Sequence, residues 1–385
     1  MSRSCKEKHF RCFVRPEERI HYMLSRRFVR EDRAILTRRC VPALLLTLGV
    51  LGLAVGLQAQ VNLGPVTVGA GLQASYVNTE PTSGTDTNQF ELNHIRLYVN
   101  GPITDTIKFM FNTDYDSVTN KIGVLDAVAQ FEFSPQVNVW FGRFLPPSDR
   151  ANLYGPFYSH EWAVYTDGIQ DGYPFVFQGR DNGVMYWGTF AKKVKVSAGV
   201  FDGPSATGSS RVIGAARVQI DFWDPEDGYY LNGTYYGDKN LLAIGGATQV
   251  QNGRTATTAD FLLEKKLKNA GVFSIESEYS DYNGLGGYQA AYRDSQGVYG
   301  LGSYLFPKVV QIGKVNGKFE VLGKFAKADY TRGTTPSFDQ KTTEINFNYV
   351  IKQFKARVMT FYKDTRYNRV EPNFWQAGVG LQIQM

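Results

Sequence analysis

Residues Val124 to Phe133 read VLDAVAQFEF. Leu125, Ala127, Ala129, Phe131 and Phe133 fall on one side of a two-residue period, and Asp126, Val128, Gln130 and Glu132 on the other. In an extended chain successive side chains point to opposite faces, so this segment predicts a strand with one apolar and one polar face. Its neighbours follow the same rule. In Glu91 to Val99, Ile95, Leu97 and Val99 oppose His94, Arg96 and Tyr98; in Thr106 to Tyr115, Ile107, Phe109 and Phe111 oppose Lys108, Met110, Asn112 and Asp114. Further along, Phe273, Ile275 and Tyr279 oppose Ser274, Glu276 and Glu278, and Thr343, Ile345, Phe347 and Tyr349 oppose Glu344, Asn346 and Asn348.

The amino terminus reads differently. Val41 to Leu57 is an uncharged apolar run behind Arg38 and Arg39, and Gln58-Ala59-Gln60 follows it. Charged, apolar and small-residue regions in that order predict a secretion signal over residues 1–59, cut near Ala59. Met23 begins a leader of more ordinary length, so residues 1–22 read as an upstream start-site artefact. The alternative is an uncleaved anchor, since the run is close to the shortest helix that spans a bilayer.

Setting the leader aside changes the meaning of the composition. The formal charge of the chain is +6, but residues 1–59 hold 12 of its 42 Lys and Arg and 5 of its 36 Asp and Glu, leaving 30 against 31. The basic character belongs to the leader, and no nucleic-acid partner is implied. All three cysteines, Cys5, Cys12 and Cys40, also precede the cut. A cysteine-free body excludes a disulfide framework, a thiolate metal site and a cysteine nucleophile.

After residue 60 no apolar run is long enough for a spanning helix, and stretches of about ten alternating residues are separated by turn residues. A soluble sandwich also alternates. The secretion signal, the absence of cysteine and the Tyr, Phe and Trp near strand ends favour a transmembrane antiparallel β-barrel over residues 60–385. The C-terminal stretch agrees, with Trp375, Ala377, Val379, Leu381, Ile383 and Met385 on one face.

Seventeen segments qualify as strands. A single-chain bacterial barrel takes an even number, and Tyr229 to Tyr236, weakest in alternation and preceded by Asp224-Pro225-Glu226-Asp227-Gly228, is the one to remove. Sixteen strands enclose an aqueous channel. Short links at Ser134-Pro135, Ala191 to Lys193 and Lys352-Gln353 are then expected at one end and longer loops at the other. The longest interruption, 144–179, contains His160, Asp171, Pro, Gly and aromatics; a loop of that length is usually functional, and its expected place is inside the lumen as a constriction.

From Phe90 to Arg150 the chain resembles the phosphate-selective porin O/P family of bacterial outer membranes. The likeness is carried by Ile95-Arg96-Leu97-Tyr98-Val99-Asn100-Gly101, by Leu125-Asp126-Ala127, and by Phe141-Gly142-Arg143-Phe144 before a Pro-rich loop. Echoes follow at Phe222-Trp223-Asp224 and Thr234-Tyr235-Tyr236-Gly237. This resemblance implies a 16-stranded homotrimer in outer-membrane lipid, without a cofactor, whose basic lumen favours anions such as phosphate. Here the inward basic residues (His94, Arg96, Lys108, Lys195, Arg217, Lys324, Lys355 and Arg357, with Arg143 at the start of the loop) share their face with Asp114, Asp126, Glu132, Glu276, Glu278, Glu320 and Glu344. Selection by charge needs a ring of one sign, so ion transport is expected with its sign undecided. Arg96, Lys108, Arg143, Arg217 and Arg357 are the candidate pore-lining residues.

Two other readings stay open. One is an enzyme, with His160 and Glu161 as base and orienter beside Ser159; the body lacks GxSxG and HExxH motifs. The other is a structural or adhesive barrel with a plugged lumen. Scattered Asp and Glu give no metal-ligand spacing.

Overall fold

A computed structural model of the protein describes residues 66–117, 120–162, 167–169, 179–203, 212–286, 294–331, 337–368 and 372–385. The expected leader, its cut site and Asp171 lie outside these residues.

Sixteen strands form one antiparallel sheet. They are β1 (Thr67–Pro81), β2 (Thr87–Pro102), β3 (Ile107–Asp116), β4 (Lys121–Ser134), β5 (Val137–Phe144) and β6 (Asp181–Phe190). Next come β7 (Val194–Phe201), β8 (Ile213–Asp221), β9 (Leu241–Gln251), β10 (Arg254–Leu267) and β11 (Gly271–Asn283). The last are β12 (Asp294–Ile312), β13 (Val315–Thr331), β14 (Phe338–Lys352), β15 (Ala356–Tyr367) and β16 (Phe374–Gln384). Each strand pairs with its sequence neighbours, and β1 pairs with β16 from Gly71↔Gln384 to Pro81↔Phe374, which closes the barrel. Closure leaves no unpaired edge, the condition for a sheet in hydrocarbon.

The two-residue period sorts the faces as the sequence requires. Along β16, Val379, Leu381 and Ile383 are exposed on the outer surface while Gln382 and Gln384 are buried inside. Outward aromatics gather at the short-turn end, where Phe133, Phe190, Phe222, Trp223 and Phe273 are exposed at or beside strand ends. An apolar belt with an aromatic rim is the exterior of a membrane-spanning barrel.

The segment 229–236 is not a strand; it lies in the connection 222–240 between β8 and β9. That connection is long, yet it sits at the end that carries the short links, contrary to the sequence expectation. Its side chains turn into the lumen, with Glu226, Tyr229, Leu231 and Thr234 all buried.

Two further expectations change at β3 and β4. Asn112 pairs with Asp126 but Thr113 pairs with Val124, so Leu125 is the extra residue of a β-bulge. A bulge puts two residues opposite one and breaks the alternation, and Leu125 is buried beside Asp126 instead of joining Ala127 outside. Moreover, the inner face is not polar all round. From β3 to β7, Met110, Val128, Trp140, Met185, Trp187 and Phe201 point inward and form one apolar cluster with Leu145, Leu153, Tyr229 and Leu231 from the two long connections. Chain packed against this wall takes the place that water would have.

Candidate pore constriction

Beyond Phe144 the chain enters the barrel. Asp149 accepts a hydrogen bond from the Asn152 backbone N–H at 2.7 Å and caps the short helix α1 (Arg150–Tyr154). A short polar side chain before a helix satisfies a donor that the first turn leaves open. A single 3₁₀ turn follows at Pro156–Tyr158. Residues 144–157 and 159–162 are all buried, and Tyr158 is half-buried. Buried connecting backbone must find partners for its polar groups, and here the barrel wall supplies them.

The partners come from opposite sides of the barrel. Gln73 of β1 donates to Pro156 O at 3.1 Å, Arg217 of β8 to Ser148 O at 3.1 Å, and Gln249 of β9 to Pro147 O at 2.9 Å. On β11, Glu276 accepts from the Tyr154 hydroxyl at 2.9 Å, and Tyr282 donates to Ile169 O at 3.1 Å. Arg357 of β15 donates to Ser159 O at 2.7 Å, and Gln382 of β16 to Phe157 O at 3.0 Å. Lys324 of β13 pairs with Glu161 at 2.8 Å and Asp167 at 2.7 Å. Two wall glycines leave room for loop rings: a methyl group at Gly71 would meet Phe157, and one at Gly380 would meet Trp162.

The loop's own charges answer to this enclosure. Burial pushes the Asp149 carboxyl up to about 6, with the Asp260 charge adding to it. For Glu161 burial works in the same direction, but the Lys324 ammonium outweighs it and holds the group below the usual carboxylate range. Glu226, in the 222–240 connection, is likewise held down against burial by Arg150, to which it is hydrogen-bonded. Burial would lower the His160 imidazole, yet the hydrogen bond and charge of Glu320, 3.4 Å from Nε2, raise it.

The five sequence candidates occupy three kinds of place. Arg217 grips Asp260 of β10 through two bonds, Nη1 to Oδ2 at 2.5 Å and Nη2 to Oδ1 at 2.8 Å. Arg357, fully buried, donates to four neutral oxygens: Ser159 O, Phe157 O, Tyr236 Oη and Gln382 Oε1. Arg96 bonds Asp114 at 2.8 Å and lies over the Phe157 ring, 4.9 Å from its centroid. These three therefore sit where wall and loop meet. Lys108 is half-exposed and paired with Glu132 at 2.6 Å, away from the loop. Arg143 is half-buried at the end of β5, with Asp126, Asp181 and Arg180 as its charged neighbours. Lys355 lies exposed in the turn before β15 and does not share the buried environment of Arg357.

Several residues that sequence reading passed over are central. Arg150, fully buried, donates to Glu226 and to Asn232 O at 2.9 Å and lies 3.8 Å from Asp260, so it ties the two inward connections together. Glu264 accepts from Thr234 Oγ1 at 2.8 Å and from the backbone N–H groups of Tyr235 and Gly237 at 2.9 and 2.7 Å. The one available signal was Ser148-Asp149-Arg150, a helix-capping pattern inside a loop.

Ser159, His160 and Glu161 do not form a hydrogen-bonded series. The Ser159 hydroxyl lies 2.6 Å from Glu161 O and 3.0 Å from Pro156 O, holding a turn. His160 Nε2 faces Ser303 at 3.2 Å and Glu320 instead. Among the described residues the buried interior holds fourteen Asp and Glu side chains against eight Lys and Arg, an arrangement richer in acid than the sequence reading allowed.

No family model matches the chain, and no curated protein matches it in sequence. Among solved structures it is similar to the anion-selective porin from Comamonas acidovorans, at TM-score 0.55 and 12% identity over 83% of this chain and 99% of that one. It is also similar to OprB of Pseudomonas putida (TM-score 0.54, 9% identity, 83% and 94% covered). A third likeness is to the trimer form of OmpT, an outer membrane protein of Vibrio cholerae (TM-score 0.52, 13% identity, 84% and 100% covered). At such identities the likeness is one of fold: the chain is a closed 16-stranded barrel of the kind built by bacterial outer-membrane porins.

Proposed function

We propose that the protein is a diffusion porin of the bacterial outer membrane, delivered there by a leader over residues 1–59 that is then removed. Small hydrophilic solutes and ions cross it down their gradients, with no cofactor and no chemical step. The observation that carries this reading is the loop 144–162, pinned inside a barrel of sixteen strands by polar groups from walls that face one another. Such an insert narrows a lumen that would otherwise be wide, and its width and charge become the filter. A homotrimer is part of the proposal, supported by the trimer form of the similar Vibrio cholerae protein.

The resemblance to the phosphate-selective porin O/P family suggests anion transport. The excess of buried carboxylates suggests the reverse, because fixed negative charge in a low-dielectric channel attracts cations and repels anions. We favour a weak preference for cations. Arg96, Arg217 and Arg357 then act by holding the loop, while Lys108 and Arg143, less enclosed, are the better candidates to meet a passing solute.

A structural or adhesive barrel without an open path has one observation in its favour: the two inward connections bury most inward side chains. Solute efflux from liposomes carrying the refolded full chain separates the two. The porin reading expects small sugars to escape and large dextrans to be retained; retention of both by correctly folded protein would leave the plugged barrel.

A further inference from the structure

A cavity of about 570 Å³ opens at the short-turn end of the barrel, away from the constriction. It is bounded by the β10–β11 turn, the base of the β12–β13 hairpin, the β14–β15 turn and residues Tyr236 and Asp238. The space arises where the β12–β13 ladder breaks, since pairing jumps from Leu305↔Glu320 to Val309↔Lys318 and leaves 306–308 out of register.

Two properties of the lining stand together. Its floor is apolar: Val272, Leu305 and Val350 are buried in one cluster with Tyr236 and Phe354. Its rim is basic: Lys266, Lys318 and Lys352 all line it. Lys266 lies opposite Val272 and Lys318 opposite Val350 in the strand register, so both project to the lumen side with those buried valines. Among the described residues none of the three lysines has an ion-pair partner. Asp238, the one carboxylate among the described lining residues, is engaged by Gln353 at 2.6 Å.

We propose that this cavity binds a small organic anion, an oxyanion group carried on an apolar body. Unpaired ammonium groups at a rim supply the charge complement and charge-assisted hydrogen bonds, and the valine and leucine floor gains from covering apolar surface. The volume lies in the range of small-molecule sites. Because Lys266 and Lys318 project to the lumen side of the wall, their ammonium groups meet a ligand that comes from the aqueous mouth. The acid-rich interior above opposes its onward passage, so the mouth holds the anion in place. The site needs the barrel but not an open pore, which keeps its test separate from that of the porin reading.

Titration calorimetry on the folded full chain in detergent tests it, with benzoate as probe, benzamide as its uncharged counterpart and inorganic phosphate as charge without an apolar body. Saturable benzoate binding is expected, with no saturable benzamide binding and phosphate at least about tenfold weaker. Losing two ammonium partners in K266Q/K318Q should weaken benzoate at least about tenfold, while K266R/K318R stays within about threefold. Heat-modifiable gel migration matched to the parent shows that the variants are folded. Absence of saturable benzoate binding, equal binding of benzamide or phosphate, or an unchanged affinity in folded K266Q/K318Q would overturn the assignment.

Discussion

At the scale of single residues, Arg217 and Lys108 show how one inward charge differs from another. Both were placed inside by period two alone. Arg217 is buried, bidentate to Asp260 and bonded to the loop at Ser148; Lys108 holds Glu132 with its side chain 43% exposed. Removing one partner of a buried pair leaves an uncompensated charge and costs about 3–5 kcal/mol, whereas replacing both by apolar groups is close to neutral. Arg217→Ala should therefore lower unfolding stability in urea by about that amount, while R217M/D260L recovers the part due to the uncompensated Asp260 charge and not the part due to the lost Ser148 O bond. An equal loss in single and double variants would refute the role given to the pair. Lys108→Gln should change stability by less than about 1 kcal/mol, as half-exposed pairs do. The face of each residue was legible because parity is local. Its partner was not: Arg357 meets Ser159 and Tyr236 across 198 and 121 residues of chain, and no local pattern encodes that contact.

At the scale of elements, the loop 144–162 carries groups with opposed pH dependence. His160 has a folded pKa above its unfolded value of about 6.5, so its contribution to docking is full below that value and is lost as pH rises through the folded pKa. Asp149, raised to about 6, favours docking when neutral, and its contribution fades between about pH 4 and pH 6. Glu161, and Glu226 on the connection 222–240 that grips the loop at Arg150, are both held low; they contribute above about pH 4.5 and lose that contribution as pH falls through their folded values. Loop docking should thus weaken on alkalinisation. A Tyr158→Cys reporter, in a chain with no other cysteine after residue 59, should react with an impermeant maleimide faster above neutral pH than thiol ionisation explains, and His160→Gln should abolish that excess. A rate that follows thiol ionisation alone would remove His160 from the latch.

The sixteen strands could be read in advance because each one spans two solvents and must alternate to do so. Segment 229–236 alternates weakly for the same reason: chain packed inside the lumen has no lipid face to impose a period. The placement of 222–240 at the short-turn end could not be read, because Tyr229 and Leu231 are drawn inward by Trp140 and Leu153, contacts between elements distant in sequence. The bulge at Leu125 is a similar case, since one extra residue is visible only against its partner strand.

At the scale of the whole molecule, the outer belt, the closed ladder and the inserted loop describe a barrel whose exterior belongs in lipid and whose interior is charged. Sequence counting of inward charges found both signs in similar number. The structure tips the count, because Asp149, Glu161, Asp167 and Glu226 enter the lumen on connections, and Asp181, Asp221, Asp260 and Glu264 are buried on strands.

The most direct test of the account is a single-channel recording from the refolded full chain in a planar bilayer under a potassium chloride gradient. It should give discrete conductance steps with a reversal potential on the cation side of zero. Insertion of folded barrel without any steps would contradict the porin reading, and a reversal potential on the anion side would contradict the assignment of the interior field.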